Sequence, residues 1–168
     1  MNTARQIIDT LKLEPLPREG GYYRRIYTHN RGIDTSDASN SSGKRALASA
    51  IYFLLTPDTF SALHRLPSDE LFHFHMGSPV SMLQLHPGGG SDRILLGPDL
   101  ANGQRTMTLA PGGSWQGARI LDTTPEAYTL LGVSVHPGFD WTDFELGERA
   151  ALLQNYPDRA EEIKRLTR

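Results

Sequence analysis

Between Ala46 and Leu146 the chain is a series of short apolar runs, and that pattern limits the folds open to it. The runs are ALASAIYFLLT, FSALHRL, ELFHFHMG, VSMLQLH, DRILLG, RTMTLA, SWQGARIL and AYTLLGVSVH. Turn-formers such as PDT, PSD, GSP, PGGGS, PDLANG, APGG and DTTPE separate them. β-Branched and aromatic residues bounded by Gly, Pro, Asp and Ser read as strands. Eight or so strands at this spacing, with Asn102-Gly103 as a hairpin signal, argue for an antiparallel sandwich or barrel. No repeat of fixed period is visible, which disfavours propellers and solenoids.

The flanks differ. Thr3 followed by Gln6 fits a capping box, and Ile7, Ile8 and Leu11 share one helical face. Pro15 and Pro17 stop that helix near Leu13, giving an N-terminal helix within residues 1–14. EGGYYRRIYTHN predicts an early strand. Residues 30–45 are polar and turn-rich and read as a mobile loop, not a domain linker. After the β-rich core of residues 46–146, residues 147–168 return to helix, with Asp158 and Glu161 expected to cap RAEEIKRLT.

The chain has 168 residues, a net charge of -2 and no cysteine. That length suits a single domain with a real core. The charge gives no reason to expect nucleic acid or a membrane surface as partner. Disulfides, thiolate metal sites and a cysteine nucleophile are excluded. The N-terminus lacks a long apolar run, so the expected location is cytoplasmic.

The stretch FSALHRLPSDELFHFHMG concentrates candidate chemistry. Glu70 is followed by six residues and Gly77, His64 precedes it, and further along Pro111, Gly113 and Gln116 stand at a P-x-G-x-x-Q spacing. These pieces resemble the two motifs of the cupin superfamily, with Ala62 at the first histidine position and Gln116 in place of the last histidine. EGGYYRR, AIYFLLTPDTFSALHRLPSDELFHFHMG, LGPDLANGQ, APGGSWQGAR and HPGFDWTDFEL come in the order of one small cupin family of bacteria and fungi whose function is unknown. Where its members tend to carry tryptophan, glutamine and alanine, this chain has Phe72, Met107 and His136. The resemblance implies an all-β fold: a double-stranded β-helix, the cupin jelly roll, with a pocket between its sheets. It also implies a homodimer.

Three chemistries stay open. A divalent metal would use His64, Glu70 and Gln116, a weak set because amide oxygen replaces imidazole. Strand alternation sets Glu70, Phe72 and Phe74 on one face and Leu71, His73 and His75 on the other, so joining them needs a bulge. Alternatively, no cofactor is required. SALHR resembles the histidine-bearing strand of sugar-nucleotide epimerase cupins, which implies His64 as base, Glu70 as its orienting partner and Tyr128 or Tyr22 as acid. Arg24, Arg25 or Arg65 would hold an anionic substrate by bidentate hydrogen bonding. Third, the pocket would bind a small molecule without turnover, through Tyr22, Arg24, His73, Trp115 and Gln116. A histidine buried against Glu70 for structure alone accounts for His64 equally well. HPGGGSD lacks the helix that would make it a phosphate cradle and reads as a hairpin loop. Asp140 reads as a loop-capping carboxylate.

Overall fold

In the computed structural model, which describes residues 3–35 and 43–168, Thr3 caps helix α1 (Ala4–Leu11) through the expected box. Its Oγ1 accepts from the Gln6 N–H at 3.3 Å, and its own N–H donates to Gln6 Oε1 at 3.0 Å. The strands follow in chain order. They are β1 (Glu14–Pro15), β2 (Tyr22–Thr28), β3 (Gly32–Asp34), β4 (Lys44–Ala46), β5 (Ser49–Leu55), β6 (Ser61–Arg65) and β7 (Asp69–Gly77). After these come β8 (Val80–Leu85), β9 (Ser91–Leu96), β10 (Met107–Ala110), β11 (Trp115–Ile120), β12 (Thr129–His136) and β13 (Glu145–Leu146). Helices α2 (Arg149–Asn155) and α3 (Ala160–Arg165) close the described chain.

Two antiparallel sheets form the jelly roll: a six-stranded one in the order β1-β2-β5-β12-β7-β10 and a five-stranded one in the order β13-β6-β11-β8-β9. All eight apolar runs supply strands. β6 and β7 lie in opposite sheets, so the turn Leu66–Ser68 carries the chain from one to the other.

Alternation along the strands gives each sheet an inner and an outer apolar face. Inside lie Phe53, Leu55, Phe72, Val80, Met82, Leu96, Leu131 and Val133. Outside the six-stranded sheet, Ile7 of α1 covers Leu54 and Leu130. Outside the five-stranded sheet, Leu152, Ile163 and Leu166 of the C-terminal segment cover Leu63, Leu83 and Leu85. No helix among the described residues is long and apolar enough to cross a membrane.

Three local expectations differ from what forms. Gly32–Asp34 and Lys44–Ala46 pair as a two-stranded ribbon. Its anchor is remote: Arg45 makes a bidentate ion pair with Asp143 at 2.7 Å. The middle of the loop expected there, residues 36–42, lies outside the described residues. Asn102-Gly103 does not make a hairpin, because β9 and β10 belong to different sheets. Asp99 instead accepts from the Asn102 N–H and closes a single 3₁₀ turn. Asp158 sits inside a 3₁₀ turn, and α3 starts after Arg159 without a side-chain cap.

Candidate functional site

β6 places His64 by an irregularity. Gln116 of β11 pairs with His64, but Ala118 pairs with Ser61, so β6 has one extra residue between them. Such a bulge re-aims side chains, and it turns both Ser61 and His64 toward the interior. The freed Ala62 carbonyl accepts from His64 Nδ1 at 2.8 Å. A carbonyl is only an acceptor, so Nδ1 carries a hydrogen and Nε2 is the nitrogen left for chemistry. The imidazole stacks on Phe144 at 5.1 Å with 17° between planes.

Two carboxylates face that nitrogen. Nε2 lies 3.9 Å from Glu70 Oε1 and 3.9 Å from Glu19 Oε2. Glu70 comes from β7, and Gln116 Nε2 donates to its Oε1. Glu19 comes from the turn between β1 and β2, where its carbonyl accepts from Ala62 N–H and its Oε1 accepts from Ser61 Oγ at 2.7 Å. Burial pushes the Glu70 carboxyl up to about 7, with Glu19 adding to it and His64 and Gln116 opposing. At His64 burial works against the charged form, but Glu19, Glu70 and the Ala62 carbonyl together outweigh it and raise the imidazole. Two buried groups that share protons near neutrality are suited to acid/base work.

His64, Glu70 and Glu19 line a small cavity of about 50 Å³ together with Tyr23, Arg25 and Trp141. A space of that size takes a few waters or a compact ligand. Phe139 packs edge-on against Trp141 at 5.0 Å at one side, and Asp140 between them caps its own loop by accepting from Thr142 N and Oγ1.

Several candidates lie elsewhere. Tyr22 and Arg24 occupy the outer face of β2: Tyr22 packs near α1, and Arg24 donates to the Leu11 carbonyl at 3.0 Å. Register decides this, since Tyr23 pairs with inward-facing Phe53 and Arg25 with Ile51. Tyr23 and Arg25 therefore reach the cavity in place of their neighbours. Tyr128 packs near α1 as well. Val135, seven residues along β12, is the residue paired with Glu70, so Tyr128 sits roughly 23 Å away along the strand. Trp115 faces the C-terminal helices with Arg65 over its ring at 4.5 Å. His73 pairs with Gly132 and faces outward. His75 is the unpaired residue of a second bulge, lodged where Gly132 lacks a side chain. Glu19 was absent from the sequence-based candidates. It stands in the EGGYYRR block, but only the turn's closure onto β6 reveals its role.

The metal set of His64, Glu70 and Gln116 does not fit a divalent ion. Among the described residues no three His, Cys, Asp or Glu side chains are placed to hold one. Gln116 presents an N–H donor, not a lone pair, to Glu70, and amide oxygen is in any case a poor substitute for imidazole at such an ion.

The family model described as Cupin superfamily (DUF985) matches residues 5–147. An uncharacterized protein of Saccharomyces cerevisiae is 25% identical over 155 residues, covering 87% of this chain and 77% of that one. A solved protein from Shewanella oneidensis is 36% identical, covering 100% of this chain and 99% of its own, with a TM-score of 0.87. A hypothetical protein from Leishmania major is 32% identical over 99% of both chains, with a TM-score of 0.88. Oxalate decarboxylase of Bacillus subtilis, described for its Mn(II) centres, shares the fold alone at 15% identity and a TM-score of 0.52, with 38% of its chain covered.

Proposed function

The chain belongs to the DUF985 family of the cupin superfamily, and we propose that its barrel does metal-independent acid/base chemistry of the isomerase or epimerase kind on a small polar or sugar-like molecule. One observation carries this reading: His64 Nε2 faces two carboxylates at 3.9 Å, at the wall of a cavity, with Nδ1 fixed by a backbone carbonyl. His64 takes a proton from the ligand, and Glu70, protonated near neutrality, returns one. Two groups of this kind on one cavity allow removal and return of a proton without a cofactor. Tyr128 has no part in this scheme; among the described residues Tyr23 is the tyrosine that lines the cavity.

Proton abstraction leaves a trace that needs no known product. Compact hydroxy acids and sugar acids incubated in deuterated water exchange a carbon-bound hydrogen with wild-type protein. His64→Gln stops the exchange while retaining ligand binding. Binding without exchange in the wild type would point to a non-catalytic ligand-binding cupin instead.

We also propose that the protein is a cytoplasmic homodimer. Met107 and Leu109 support this, being 54% and 44% exposed on the edge strand β10, where unpaired backbone favours cover by another chain.

A further inference from the structure

The cavity is polarised from floor to mouth. Its floor holds the Glu19 carboxylate, a hydrogen-bond acceptor, beside the proton-sharing pair of His64 and Glu70. Beside them Gln116 Oε1 is buried with no partner among the described residues. Acceptors gathered in a buried place need donors, because an unpaired polar group there is costly. The walls are apolar, with Ile51, Val133 and Val135. At the solvent side stands exposed Arg25, its guanidinium 5.6 Å from the Phe139 ring and in no ion pair among the described residues. Asp140 on the neighbouring loop accepts from Thr142 N and Oγ1 through Oδ1 at 2.9 and 2.7 Å, and it feels the positive charge of Arg25 without pairing with it.

We infer that the cavity takes a compact carboxylate bearing a hydrogen-bond donor, hydroxyl or ammonium, on an adjacent carbon. The donor points to Glu19, and the carboxylate pairs with Arg25, whose planar fork suits a carboxylate's two oxygens. The inference rests on the cavity being a ligand site, as proposed above, but not on turnover.

Calorimetric titration with four probes separates the requirements. Glycerate carries both groups with a hydroxyl donor, serine carries both with an ammonium, glycerol lacks the carboxylate and propionate lacks the donor. Glycerate, serine or both should bind, and glycerol and propionate should bind at least about tenfold more weakly. Arg25→Gln should weaken the binding probe by about tenfold or more while leaving the unliganded melting temperature unchanged. Equal binding of glycerol, indifference to Arg25→Gln, or no binding by any probe overturns the inference. Glycerate binding without deuterium exchange would sink only the acid/base reading. Exchange in a neutral polyol, unaffected by Arg25→Gln, would sink only this one.

Discussion

Glu70 and His64 are costly residues to bury, at 5% and 3% exposed. A burial of this kind is tolerated when protons and partners are shared. Glu70 titrates at about 7 against an ordinary 4.5, so the folded protein holds a proton that the unfolded chain releases. Its stabilising contribution is whole below about pH 4.5 and is lost as pH rises through about 7. The raised His64 acts in the same direction, stabilising below its ordinary 6.5 and losing that contribution as pH rises through its folded value. Glu70→Gln removes the first part. Its melting temperature should therefore fall less than that of the wild type between about pH 5 and about pH 8. A parallel fall in both proteins, read by calorimetry across that range, would mean Glu70 titrates normally.

At the level of elements, the site depends on a turn and a bulge more than on any strand. Leu16 N–H donates to the Gly21 carbonyl and Gly20 N–H donates back to the Leu16 carbonyl, closing the turn, and Glu19 is held against β6 through Ala62 N–H. Arg168 donates to the Arg18 and Glu19 carbonyls from the far end of the chain. Gly20 has φ +107, and a Cβ there would meet the Phe60 carbonyl. Gly20→Ala should cost roughly 2 kcal/mol or more in stability, seen as a lower midpoint in urea, and should weaken ligand binding by displacing Glu19. These features explain what the sequence hid. Alternation correctly separated Glu70 and Phe72 from His73, because one intact strand suffices to define two faces. It could not tell which face of β2 is inner, since that depends on pairing with β5, so Tyr22 stood where Tyr23 belongs and Arg24 was not separated from Arg25. The β6 bulge and the Glu19 turn arise from contacts between distant segments, and no local pattern encodes either.

The whole molecule was the most legible scale. Eight apolar runs between turn-formers became eight strands of two facing sheets, because each run must bury a face and the turns leave no room for helices. The helices cover outer faces, leaving the barrel interior apolar around Phe53 and Phe72 and polar around His64. The proposed homodimer belongs to this scale: sedimentation equilibrium should give twice the 18.6 kDa chain mass. Leu109→Asp, which places a charge on the exposed edge strand, should shift it to monomer. A monomeric wild type at all concentrations would refute the assembly without touching the pocket. Burial of Glu70 beside His64 keeps a proton on the pair near neutrality. Carbon-13 NMR of the Glu70 carboxyl as a function of pH tests it most directly, with Glu70→Gln identifying the signal. The predicted midpoint is about 7; a midpoint near the ordinary 4.5 would contradict it.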